Sequence, residues 1–137
     1  VMLDVLDMSS AEEQFPNGMM MHYLRMANGF LVLFSLTDHN SFHETVKYLE
    51  MIQQVKEEDA EKLPIVLVGN KSDLVNDRVV SRNEALDFAR ESKVKYMEIS
   101  AKTNENVTEC FITLTRMMME MYPQTQDNGQ KKRCMIQ

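Results

Sequence analysis

The chain has 137 residues, 15 of them Lys or Arg and 21 Asp or Glu, for a formal net charge of −6. That length suits one domain and excludes two, and a composition of 44% hydrophobic and 26% charged residues is globular, neither disordered nor collagen-like. The longest apolar run, residues 30–34, falls far short of the ~20 residues needed to span a bilayer. No basic-then-apolar leader opens the chain, and Cys110 and Cys134 lack metal-ligand spacing, so a reducing compartment is expected rather than secretion. An acidic body is a poor footprint for phosphodiesters, which argues against a nucleic-acid partner. Three bases stand together at Lys131-Lys132-Arg133, a pattern suited to an anionic surface such as an inner leaflet.

Residues 1–6 read as a strand ending at Asp7, in a chain that opens on Val1 within an apolar pattern; either Met2 is the start or the chain is a fragment. Residues 9–27, with the turn signal Pro16-Asn17-Gly18 and the run Met19-Met20-Met21, are expected to form a mobile loop with a poor helix. Residues 30–36 and 65–68 are nearly continuous apolar runs, as in strands buried on both faces. Residues 96–99 form a weaker fourth strand signal. Helices are expected behind Ser41-x-x-Glu44, Ser81-x-x-Glu84 and Asn106-x-x-Glu109, which share capping-box spacing. The apolar positions behind them are helical: Phe42, Val46, Leu49 and Ile52; Ala85, Leu86 and Ala89; Phe111, Leu114, Met118 and Met121. After Tyr122 the sequence is polar and patternless, as in a flexible tether. The alternation predicts an α/β fold, a mostly parallel sheet with helices on both faces. A domain over residues 1–122 and a tether over 123–137 are expected.

In open α/β sheets, ligands bind beyond the carboxyl ends of the strands. The third strand is followed by Asn70-Lys71-Ser72-Asp73. A carboxylate such as Asp73 accepts two N–H groups at once, as a guanine edge presents them. The stem of Lys71 can lie along a flat base, and Asn70 can tie neighbouring loops or meet a ring nitrogen. The last strand is followed by Ser100-Ala101-Lys102, a small-residue turn whose N–H groups suit a carbonyl oxygen, and the first by Asp7, where an acid can reach a Mg²⁺ shell. Singly, each is also an ordinary polar turn or cap; in this order, each behind a strand, they form a specific combination.

In these segments the chain resembles the Ras family of small GTPases, over nearly all of residues 1–122. Asn70-Lys71-Ser72-Asp73 looks like the family's NKxD motif, Ser100-Ala101-Lys102 like its SAK motif, and Leu3-Asp4-Val5-Leu6-Asp7 like the strand entering its DxxG element. Tyr23-Leu24-Arg25, Gly29-Phe30-Leu31 and Arg78-Val79-Val80-Ser81-Arg82 also match family segments. The resemblance implies a Ras-like P-loop NTPase fold, GTP or GDP with Mg²⁺ as ligands, effector and regulator proteins as partners, and a monomer. By it, Asp73 reads guanine N1 and N2, Lys71 packs on the base, Asn70 braces the loop, and the Ala101 N–H meets O6.

Two departures qualify that picture. The family's phosphate loop, G-x-x-x-x-G-K-[ST], is absent from these 137 residues, as is the Thr of the first switch that binds Mg²⁺. Both would lie upstream of Val1. Without the strand that precedes the phosphate loop, the strands at 1–7 and 30–36 are expected to flank an empty slot with unpaired backbone groups, so that the chain alone folds poorly. Where the family has D-x-x-G-Q, this chain has Asp7-Met8-Ser9-Ser10-Ala11. Ser10 stands for the Gly whose N–H contacts the γ-phosphate and loses its conformational freedom. Ala11 stands for the Gln that orients water. Impaired hydrolysis is the expectation.

The final Cys134-Met135-Ile136-Gln137 fits C-a-a-X, with Gln pointing to farnesyl. One lipid holds a membrane marginally, and Lys131-Lys132-Arg133 supplies the second signal. Cys110, beside Phe111 on a helix, reads as a buried small hydrophobe. Met117-Met118-Met119 and Met121 are expected to mix core and surface, His22, His39 and His43 receive no role, and Glu57-Glu58-Asp59 reads as a solvated helix end. Two functions follow: a membrane-tethered guanine-nucleotide switch, or a non-catalytic module or truncated fragment held at the membrane by its prenylated tail.

Overall fold

The structure, a computed structural model, describes residues 3–7, 18–57, 63–123 and 132–136. Among the described residues five strands and four α-helices alternate: β1 Leu3–Asp7, α1 Met19–Met26, β2 Gly29–Ser35, α2 His39–Val55, β3 Ile65–Asn70, α3 Arg82–Glu91, β4 Lys95–Glu98, α4 Val107–Met121 and β5 Lys132–Ile136, with a short 3-10 turn at Val75–Asp77. The strands form one wholly parallel sheet in the order β1-β5-β2-β3-β4. The expected fold class is borne out.

Period-two alternation divides the central strands between two cores. Phe30, Val32, Phe34, Ile65 and Leu67 face one side with Leu24, Phe42, Leu49, Ile52, Ala85 and Ala89 of α1, α2 and α3. Leu31, Val66 and Val68 face the other with Cys110, Leu114 and Met118 of α4. Burial on both faces is why β2 and β3 read as unbroken apolar runs. Gly29 is required by the α4 side: a Cβ there would lie 2.7 Å from Met118 Sδ.

The slot expected to stand empty between β1 and β2 is filled. Residues 132–136, within the segment expected as a tether, pair with β1 through Val5↔Cys134 and with β2 through Gly29↔Cys134. The strand obeys the same alternation, with Met135 in the α1–α2–α3 core and Cys134 in the α4 core. Both are almost fully buried, at 3% and 1% exposure. The physical reason is the one that made the empty slot unfavourable: unpaired N–H and C=O groups on two strands are satisfied by any apolar segment that can pair on both sides. Residues 124–131 and 137 lie outside the described residues.

Local expectations fare unevenly. Within residues 9–27, expected as a loop with a poor helix, residues 19–26 form the helix, with Met20 and Met21 packed on the core; Met8, Ser9, Ser10, Ala11, Pro16 and Asn17 lie outside the described residues. Ser81 caps α3, accepting from Glu84 N–H at 3.1 Å. The Glu84 carboxylate meets His39 Nε2 at 3.1 Å, and His39 Nδ1 is 3.1 Å from His43 Nε2. In α2 the cap is Asp38, not Ser41, whose hydroxyl donates to the Asp38 carbonyl at 2.7 Å. Asn106 is left-handed and makes no side-chain cap; its amide donates to the Glu98 carbonyl at 3.1 Å. Val46, expected inside, is exposed, and Thr45 is buried in its stead with its hydroxyl on the Phe42 carbonyl. Cys110 and Met118 are buried and Met119 is exposed, as expected. Among the described residues, no helix is long and apolar enough to cross a membrane.

Candidate functional site

Because β3 and β4 are parallel neighbours, their carboxyl ends emerge side by side. The register Gly69↔Glu98 continues past both strands through Ile99 N–H to the Gly69 carbonyl at 2.8 Å and Ser72 N–H to the Ile99 carbonyl at 3.1 Å. This zipper brings Asn70-Lys71-Ser72-Asp73 against Ser100-Ala101-Lys102. Gly69 permits the approach, since a Cβ there would meet Leu36 Cδ2 and Tyr96 Oη, each at 2.9 Å.

Side chains then lock the two loops. The Ser100 hydroxyl donates to Asp73 Oδ1 at 2.7 Å and accepts from Thr103 N–H at 3.1 Å. Because the carboxylate can only accept, the hydroxyl hydrogen is committed to it, and a lone pair is left for Thr103 N–H. Ser100 is fully buried while Asp73 is half-buried. Asn70 Oδ1 accepts from Ala101 N–H at 3.1 Å and from Lys71 N–H at 2.7 Å. The Ala101 N–H assigned to guanine O6 by resemblance is therefore engaged with Asn70, and a base oxygen would share or displace that contact. Lys71 sits in the left-handed region with φ 68, a conformation disfavoured for a residue with a Cβ. Its side chain and that of Lys102 are exposed.

A network that the sequence reading did not single out supports the second loop from below. Arg78 grips the Glu98 carboxylate with both terminal guanidinium nitrogens, Nη1 at 2.9 Å, while Nε donates to the Val80 carbonyl at 2.7 Å. The Tyr96 hydroxyl donates to Glu98 Oε2 at 2.6 Å. Burial alone would raise the Glu98 carboxyl, but the hydrogen bonds from Arg78 and Tyr96 outweigh it and hold the group below its ordinary value. Burial, aided by the bond to Glu98, pushes the Tyr96 phenol well above its ordinary range. The period-two spacing of Tyr96 and Glu98 was the one available sequence signal.

Asp7 ends β1, on the same carboxyl edge, and pairs in register with Ile136. In the strand order it is three positions from β3, about 14 Å at ordinary strand spacing. Ser10 lies outside the described residues. Among the described residues no group of three His, Cys, Asp or Glu side chains fits a metal, so they form no Mg²⁺ cage by themselves. Cys134 is inside the sheet, where burial, with a smaller contribution from Cys110, pushes its thiol up to about 12.

A parallel sheet whose carboxyl edge carries two interlocked loops of this kind defines an α/β domain of the small-GTPase class. The model of the Ras family matches residues 1–120. Ras-like protein RAS2 of Hydra vulgaris is 41% identical over 98% of this chain and 70% of its own length. Ras-related protein R-Ras of Mus musculus is 43% identical over 89% of this chain and 54% of its own. Ras-like protein 1 of Saccharomyces cerevisiae is 41% identical over 86% and 37%, respectively. The chain belongs to the Ras family, as its motifs implied, and spans between 37% and 70% of the length of these relatives.

Proposed function

We propose that this chain carries the guanine-recognition half of a membrane-tethered, nucleotide-dependent switch that hydrolyses GTP slowly. The observation that supports it best is the hydrogen-bonded union of two loops 27 residues apart through Ser100 and Asp73. A carboxylate fixed by a buried hydroxyl is a preorganised acceptor for the adjacent N–H donors of a guanine edge, and such sites discriminate strongly against analogues lacking those donors. Lys71 would cover the base face, and Asn70 would keep the two loops together.

Phosphate chemistry is proposed on sequence grounds. GTP or GDP would bring Mg²⁺ with its phosphates, Asp7 would reach the ion through water, and Ser10 would offer a backbone N–H. With no phosphate loop among these residues, guanine contacts alone give weak binding. Ala11 cannot orient an attacking water as a Gln can. Effector and regulator proteins are the proposed partners of a monomer, and Cys134, farnesylated beside Lys131-Lys132-Arg133, would hold it at the cytoplasmic face of the plasma membrane or another endomembrane.

Single-turnover GTP hydrolysis tests the catalytic part, using this sequence joined to a family phosphate loop and first switch. Slow turnover that Ala11→Gln accelerates is expected. Family-typical rates with Ala11 in place would contradict it. Absence of any nucleotide binding would leave the non-catalytic interaction module, which the Ser10 and Ala11 replacements also favour.

A further inference from the structure

We propose that His39 and His43 form a two-imidazole site for a borderline divalent cation such as Ni²⁺ or Cu²⁺, with Glu84 of the neighbouring helix orienting the first ring. The site lies apart from the guanine loops and stands or falls independently of them.

It follows from the way the fold starts two helices. The Asp38 carboxylate caps α2, accepting from Asn40 N–H at 2.9 Å. His39 is therefore the first helical residue, and His43 stands one turn later on the same face. The Leu36 carbonyl accepts from Val79 N–H at 2.9 Å and from Val80 N–H at 3.1 Å. These bonds draw the segment before α3 to the end of β2, and Ser81 starts α3 close to the start of α2. Glu84, in the first turn of α3, lands 3.1 Å from His39 Nε2.

That contact sets the tautomer. A carboxylate repels a lone pair, so the neutral His39 ring carries its hydrogen on Nε2, beside Glu84, and keeps its lone pair on Nδ1. The lone pair faces His43 Nε2 at 3.1 Å. Two imidazole nitrogens at that separation, each about 2.0–2.1 Å from one ion, subtend about 95–100° at it. This is close to the angle between adjacent ligands of a square-planar or octahedral ion. The rings are tilted by 49° rather than stacked, so one ion can lie near both planes. With no ion bound, His43 Nε2–H donates to His39 Nδ1. On binding, that hydrogen moves through solvent to His43 Nδ1 and two waters leave the ion, with no proton gained or lost overall.

Glu84 touches only the far nitrogen of His39, so it is not a ligand, in keeping with the lack of any three-ligand group among the described residues. It holds the position of the carboxylate that fixes ring orientation behind many metal-bound histidines. Imidazole donors select Ni²⁺, Cu²⁺ or Zn²⁺ over Mg²⁺ and Ca²⁺, and the near-right angle favours the first two. The site is open to solvent, with the His39 and Glu84 side chains 41% and 40% exposed. Residues 38–44 include the carboxylates of Asp38 and Glu44 and no Lys or Arg, so an arriving cation meets no like charge on that turn.

The test titrates the full chain with Ni²⁺ alone, which does not oxidise the thiols of Cys110 and Cys134. Affinity is read by calorimetry and location by the paramagnetic broadening of amide signals. Amides of residues 38–44 and 82–86 should broaden first. His39→Ala and His43→Ala should each weaken binding on the order of a hundredfold, because either leaves one tooth of a two-toothed chelate. Glu84→Gln, which removes the charge that fixes the tautomer, should weaken it about tenfold, and His22→Ala, on α1, should leave it unchanged. Binding that survives either His39→Ala or His43→Ala, or that is lost with His22→Ala, would overturn the site. Unchanged affinity in Glu84→Gln would overturn the orienting role. If a histidine variant fails to fold, the wild type decides alone: broadening centred on residues 38–44 upholds the proposal, and broadening centred elsewhere overturns it.

Discussion

The Ser100 hydroxyl is buried, and it points at Asp73 from the far side of a loop boundary, 2.7 Å from one carboxylate oxygen. The bond makes Asp73 a fixed acceptor instead of a swinging surface carboxylate. Its removal by Ser100→Ala also strips Thr103 N–H of its acceptor. The cost expected in urea unfolding is about 1–2 kcal/mol, and in the nucleotide-competent protein guanine affinity should fall about tenfold with adenine affinity unchanged. Equal weakening of both bases would show that Ser100 supports the fold alone.

The Glu98 network has a pH signature whose sign is fixed by its geometry. The folded carboxyl lies below its unfolded value of 4.5, so the stability it confers is present above that value and is lost as pH falls through the lower folded one. Glu98→Gln should cost about 1–2 kcal/mol at neutral pH, because Arg78 loses a charged partner at a site where the carboxylate is 13% exposed. It should also flatten the acid limb of a stability-against-pH curve. An unchanged acid limb would remove Glu98 from the residues that support the second loop.

Gly69 supplies a steric prediction. The Cβ of Gly69→Ala would sit 2.9 Å from both Leu36 Cδ2 and Tyr96 Oη. Relief requires moving both a buried leucine and the phenol that serves Glu98, at a cost of about 1–3 kcal/mol in denaturant unfolding. A neutral substitution would mean that the strand can shift without disturbing its neighbours.

Much of this was legible in the sequence because it depends on local pattern. β2 and β3 announced themselves as apolar runs, Ser81 as a cap, and Asn70 to Asp73 and Ser100 to Lys102 as loops behind strands. What was not legible depends on long-range geometry. Nothing within Asn106-x-x-Glu109 says that Asn106 turns left-handed to reach the Glu98 carbonyl. Val46 and Thr45 exchange places because the orientation of α2 on the sheet, not its helical period, decides which side is covered. The tail shows the difference most clearly. Cys134-Met135-Ile136 is only three apolar residues behind a polar stretch, so its local signal is that of a tether. It becomes a strand because β1 and β2 present two unpaired edges that only the folded sheet brings together.

The most direct measurement is an NMR titration of the full chain with millimolar GDP and, separately, ADP, repeated on Asp73→Asn with xanthosine diphosphate. GDP is expected to shift the amides of residues 70–73 and 100–102 while ADP leaves them in place, and Asp73→Asn should transfer the response to xanthosine diphosphate, since the amide donates where the carboxylate accepted. Identical shifts with ADP, or a guanine response that survives Asp73→Asn unchanged, would contradict the assignment of these two loops to guanine recognition.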